Sequence, residues 1–267
     1  LHASLNPSSY KAIAFAGVTT CLDMMGPTAK VLEALPARGC GLNVAVMNAI
    51  LPGKNVSGNN PGRAEIERFV RESLAGGAFG VKLLGGHFPL TPEASARFFA
   101  VAEDLGGYAA WHAGTTEKGS NIEGLEEAFE LLDGHRCHMA HINAYCRGYV
   151  DTELNECRRA AALLEAHPEV VSESYVSPKS GGMIAFGEDG LAESHVVRMT
   201  LGKHGYAADR QGVEQALRDR FMGLIRENER GLPELIEGEE GVAWLATHEK
   251  CDCAFDRINP VLPRVFF

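Results

Sequence analysis

Three runs decide how this chain folds: Phe79-Gly-Val-Lys-Leu-Leu-Gly85, Tyr108-Ala-Ala-Trp-His-Ala-Gly114 and Cys137-His-Met-Ala-His-Ile-Asn143. Each is short and apolar, with the length and composition of a buried strand. Each carries one metal-capable side chain near its C-terminal end: Lys82, His112 and His141. Their numbers place them 30 and 29 residues apart, close to one strand–helix repeat. In a parallel barrel all strands open their C-terminal ends onto one face, where the chemistry sits. The spacing therefore predicts that the three side chains converge.

The flanking sequence supports the same repeat. Gly17-Val-Thr-Thr-Cys-Leu-Asp-Met24 and Leu42-Asn-Val-Ala-Val-Met47 read as strands, as does Glu169-Val-Val-Ser-Glu-Ser-Tyr175. Between the strands lie helical stretches over residues 28–35 (closed by Pro36), 61–75, 91–105, 121–132 and 151–166. Thr91-Pro92 opens one of them as N-cap and first helical residue. Six strands near residues 18, 44, 81, 110, 139 and 171, alternating with helices, are the signature of βα units around a parallel sheet. After Tyr175 the regularity breaks. Residues 177–190 read as a glycine-rich loop, and 212–229 and 239–248 as helices. The expected organisation is a partial barrel over 1–204 and a helical insertion or extension over 205–267, ahead of a last strand. The start at Leu1 and the apolar finish Val265-Phe-Phe267 read as ends cut from something longer.

Composition narrows the class. At 267 residues, 45% hydrophobic and 22% charged, the chain has enough apolar sequence for a full core. A net charge of −10 argues against a nucleic-acid or anionic-membrane partner and leaves room for a homo-oligomer. No run reaches the roughly 18 apolar residues of a membrane helix. Seven scattered cysteines suggest reduced thiols and a cytoplasmic location. Cys251-Asp-Cys253 is too close-spaced for a zinc knuckle.

Lysine is rarely buried without a partner, so Lys82 between Val81 and Leu83 needs an explanation. Singly, Lys82 reads as half of a structural ion pair, and His112 and His141 as core histidines; the common spacing links them. Two chemistries fit. The lysine amine can be carboxylated and bridge divalent metals held by the histidines, which acidify water and polarise a carbonyl. Alternatively Lys82 is a Schiff-base nucleophile of a lyase or aldolase, its pKa lowered by apolar surroundings. Histidines on the next two strands favour the metal. His138 is out of phase with His141, so it is expected to point away from the barrel axis as a structural residue. His87, after Gly85-Gly86, is a candidate substrate contact.

With these residues in view, the sequence resembles the amidohydrolase superfamily of metal-dependent hydrolases, in the branch around D-aminoacylase, dihydroorotase and hydantoinase. The resemblance runs over residues 8–176 and rests on Gly17-Val-Thr-Thr20, Gly80-Val-Lys82, His112 and His141-Ile-Asn143. It implies a TIM-type (β/α)₈ barrel represented by strands two to seven, a carboxylated lysine at Lys82, and one or two divalent ions, zinc expected, ligated by His112 and His141. The family's first-strand His-x-His pair has no counterpart, and Asp252 and Asp256 are poor candidates for its last-strand aspartate. The expected activity is hydrolysis of amide bonds in small N-acyl amino acids or cyclic amides. Lys82, His112 and His141 are expected to carry it, with Asn143, Tyr145, Arg147, Tyr175 and His87 around the substrate. Arg147 is the candidate for a substrate carboxylate. The alternatives are the Schiff-base enzyme and a barrel that binds a small molecule without turnover.

Overall fold

Thr20–Asp23 (β1), Asn43–Ile50 (β2), Gly80–Leu84 (β3), Tyr108–His112 (β4), Cys137–Met139 (β5) and Val170–Ser172 (β6) pair side by side in chain order, all parallel. The computed structural model describes residues 7–174 and 179–256. It divides into two units at Ser177. The six strands belong to the first unit, a curled α/β sheet that forms a partial TIM-type barrel. All six predicted strands are present.

The middle of the sheet is covered on both faces. Every residue of β3 is buried, and such strands read as continuous apolar runs. On the outer face Val81, Leu83, Ala109, Trp111, Met139 and Val170 pack into one core with Arg63–Ala75 (α3), Pro92–Asp104 (α4), Ile122–Leu132 (α5) and Glu153–Ala166 (α6). These helices start where local chemistry dictates. Thr91, Asn121 and Thr152 each accept a hydrogen bond from a first-turn backbone N–H, at 3.3, 2.9 and 3.3 Å. The earlier helices are Pro7–Phe15 (α1) and Thr28–Arg38 (α2). Pro36 lies inside α2 instead of closing it.

The inner face is set by register. Lys82 pairs with Ala110, which pairs with His138, so the three point the same way. His138 therefore faces inward with Lys82, which corrects the expectation that it points away. The error came from counting pleats back from His141. The strand ends at Met139, and His141 sits in the left-handed region (φ 71°), so period-2 parity does not carry across.

The second unit corrects the expected helical tail. It is a four-stranded antiparallel sheet in the order β7-β10-β8-β9, built from Lys179–Ile184 (β7), Met222–Glu227 (β8), Pro233–Ile236 (β9) and Cys251–Asp256 (β10). Helices His195–Lys203 (α7), Arg210–Arg218 (α8) and Gly238–Thr247 (α9) accompany it. Residue 204, the expected boundary, follows α7 inside this unit. The helix expected over 212–229 ends at Arg218; Arg220 takes a left-handed φ of 58° and the chain turns into β8. Cys251, Cys253 and Phe255 alternate inward along β10 while Asp252 is exposed, the pattern of a strand with one buried face. All seven cysteines are free thiols. Among the described residues no helix is long and apolar enough to cross a membrane.

Candidate functional site

His112 closes β4, and His141 follows β5 by two residues. The neighbouring strands bring their rings to a centroid separation of 4.6 Å, with His112 Nδ1 and His141 Nε2 2.6 Å apart. The outer nitrogen of each ring has its own partner. His112 Nε2 lies 2.9 Å from Ser120 Oγ, and His141 Nδ1 lies 3.4 Å from Glu173 Oε1. Gly85 and Gly86 let the loop after β3 approach this closely. A Cβ on Gly86 would come within 2.4 Å of His112 Nε2, and one on Gly85 within 2.0 Å of the Gly114 carbonyl oxygen.

Lys82 is completely buried on the inner face, with Nζ 3.7 Å from Met24 Sδ. Burial pulls its pKa from 10.5 down to about 8, while the charges of Glu173 and Asp23 pull the other way. His141 is driven from 6.5 to about 4, first by burial, against a hydrogen bond to the accepting Glu173 carboxylate, and with a further push from the Lys82 charge. Lys82, Glu173 and His141 thus lie within one another's electrostatic reach. For Glu173 burial opposes ionisation, yet hydrogen bonds with His138 and His141 outweigh it and hold the carboxyl well below the usual range. At neutral pH the centre holds a neutral His141, an ionised Glu173 and a lysine that is partly free amine.

The other predicted residues divide. His87 is exposed, its ring 5.3 Å from that of His112, so it joins the rim of the same site. Asn143 is fully buried in the 3-10 turn Ile142–Tyr145, and Arg147 is buried just beyond it. Tyr145 is also fully buried. Its hydroxyl accepts from the Ala113 N–H at 2.8 Å and donates to the Ala140 carbonyl at 3.1 Å. It braces the ends of β4 and β5, and its ring centroid lies 6.0 Å from that of His112. Tyr175 lies outside the described residues. Glu173, Ser120 and His138 were not foreseen. The signal for Glu173 was available, as an acidic residue just past a strand, one repeat after His141. The signal for Ser120 was not, because it lies in a loop.

Among the described residues no group of three or more His, Cys, Asp or Glu side chains is arranged to hold a metal ion. The two ring nitrogens and the Lys82 amine are among the donors the site offers.

No protein-family model and no curated protein matches the chain. Solved structures do. One is an N-acyl-D-glutamate deacylase from Bordetella bronchiseptica, crystallised with zinc and a phosphonate that mimics its tetrahedral intermediate. It is 13% identical, with 97% of this chain and 58% of that one covered, at a TM-score of 0.57. The formyltransferase/hydrolase complex FhcABCD of Methylorubrum extorquens aligns at 18% identity over 67% of this chain and 38% of that one, TM-score 0.49. An N-isopropylammelide isopropylaminohydrolase from Burkholderia multivorans aligns at 21% over 65% and 46%, TM-score 0.41. The chain spans less than two thirds of each of these. The deacylase likeness shows the fold.

Proposed function

We propose that this chain carries the metal-binding half of a hydrolase acting on amide bonds in small N-acyl amino acids or cyclic amides. The observation that carries the reading is the meeting of His112 Nδ1 and His141 Nε2 at 2.6 Å, at the C-terminal ends of adjacent parallel strands beside a buried lysine. The donor chemistry fits a divalent ion such as zinc. Two imidazole nitrogens meet at hydrogen-bond distance, and each ring has a partner at its other nitrogen, as is usual for metal-ligating histidine. A divalent ion bound there supplies Lewis acidity toward a carbonyl oxygen and acidifies water.

The chain's own residues prepare the site. A pKa of about 8 leaves roughly a quarter of Lys82 as free amine at pH 7.5, against about 0.1% for an ordinary lysine. The free amine is the form that adds CO₂: nitrogen attacks the carbon, one C=O electron pair moves to oxygen, and an N–H proton leaves to solvent. The resulting carbamate would lie near the carboxylates of Asp23 and Glu173, so it needs cations to offset the repulsion. Lys82 is thereby assigned the bridging role, and His112 and His141 the ligand roles. Arg147, buried after the 3-10 turn, is assigned to the substrate carboxylate, the local positive charge that a chain of net −10 requires to take an anion.

The test is metal dependence. The full chain should take up one to two equivalents of zinc or cobalt and hydrolyse N-acetyl or N-formyl amino acids, with loss on chelation and recovery on re-addition. Borohydride should trap no adduct on Lys82. Chelator-resistant turnover together with a trapped carbonyl substrate would replace this reading with the Schiff-base one.

A further inference from the structure

His138 and Glu173 remain to be explained. On the inner face beside Lys82, His138 Nδ1 lies 2.7 Å from the Tyr108 hydroxyl, while its Nε2 is bonded to Glu173 Oε2. A carboxylate only accepts, so His138 presents its proton at Nε2, and Tyr108 donates to the bare Nδ1. Glu173 Oε1 faces His141 Nδ1 at 3.4 Å. That is long for a neutral hydrogen bond and is carried by the carboxylate charge. The backbone carbonyl of Glu173 accepts the Ile142 N–H at 3.0 Å. One residue therefore grips the turn at His141 twice, through its main chain and through its side chain. The turn needs holding, because the left-handed region crowds the Cβ of any non-glycine residue against the backbone.

We propose that Glu173 is the positioning residue of the centre: it clamps the left-handed turn at His141 and fixes that ring with its proton on Nδ1, leaving Nε2 to ligate. His138, held by Tyr108, supports Glu173 through the other carboxylate oxygen. The inference rests on the metal reading above and extends it to residues that touch neither metal nor substrate. Glutamine cannot replace Glu173, since an amide has one acceptor oxygen and two histidine protons need one each. Aspartate keeps both acceptors on a shorter arm.

Two measurements test it. Long-range ¹H–¹⁵N NMR of the metal-free full chain should find His141 protonated at Nδ1 and His138 at Nε2; a His141 proton on Nε2 would overturn the proposal, and this readout needs no variant to fold. Cobalt titration followed by visible absorption should show Glu173→Gln binding roughly 10–100-fold more weakly than the unsubstituted chain, with Glu173→Asp recovering part of the loss. Cobalt uptake by the unsubstituted chain with equal affinity in Glu173→Gln removes the role of Glu173 and leaves the centre standing. No uptake by the unsubstituted chain removes both.

Discussion

Lys82→Met should make the metal-free protein more stable at neutral pH while abolishing the centre. The amine is fully buried, and its contact with Met24 Sδ at 3.7 Å offers only a weak acceptor. A fall in pKa from 10.5 unfolded to about 8 folded, at about 1.4 kcal/mol per tenfold change, makes the charged form roughly 3 kcal/mol less favourable in the fold. For a lysine whose folded pKa is depressed, this penalty is complete below pH 8. It shrinks as the pH rises from 8 to 10.5 and vanishes above, when both states hold free amine. Methionine has a similar reach and no charge. Urea unfolding of chelator-treated proteins should therefore show Lys82→Met more stable by about 3 kcal/mol at pH 7, with the two converging near pH 10.5. The difference between the proteins is the readout. Burial pushes the Cys253 thiol up to about 12, and Tyr10 and Cys146 are raised as well. Those groups cost stability once the pH passes their unfolded pKa values, equally in both chains. A Lys82→Met protein less stable at pH 7, with a gap that does not change with pH, would refute the reasoning.

Gly86→Ala would set a methyl group against the His112 ring, so cobalt affinity should fall about tenfold or more while the unfolding midpoint moves little; unchanged affinity would mean the ring can shift without cost. Tyr145→Phe leaves the buried Ala113 N–H without its acceptor and should cost about 1–3 kcal/mol in urea unfolding; a smaller loss would deny its bracing role. Arg147→Met should raise KM for carboxylate-bearing substrates by the equivalent of about 1.5–3 kcal/mol and spare uncharged amides. Equal loss on both would make Arg147 structural.

The sequence by itself determined the six parallel strands, their order and the meeting of His112 and His141. Those facts are local. Short apolar runs, glycine punctuation and N-caps at Thr91 and Asn121 specify each element within about a dozen residues, and a constant repeat length then puts every strand end on one face. Only the tertiary structure decided what lies past a strand end. His138 turned inward because the left-handed residue at His141 breaks the alternation from which its direction had been read. Tyr145 became a brace because its hydroxyl reaches backbone groups at the ends of both β4 and β5. The strands of the second unit were hidden for the same reason. Met222–Glu227 carries charges that suit a solvated helix, and it becomes a strand because Cys251–Asp256 and Pro233–Ile236 lie on either side of it. β pairing is a non-local choice: the partner that satisfies a strand's backbone lies elsewhere in the chain, and the strand's own residues do not say where.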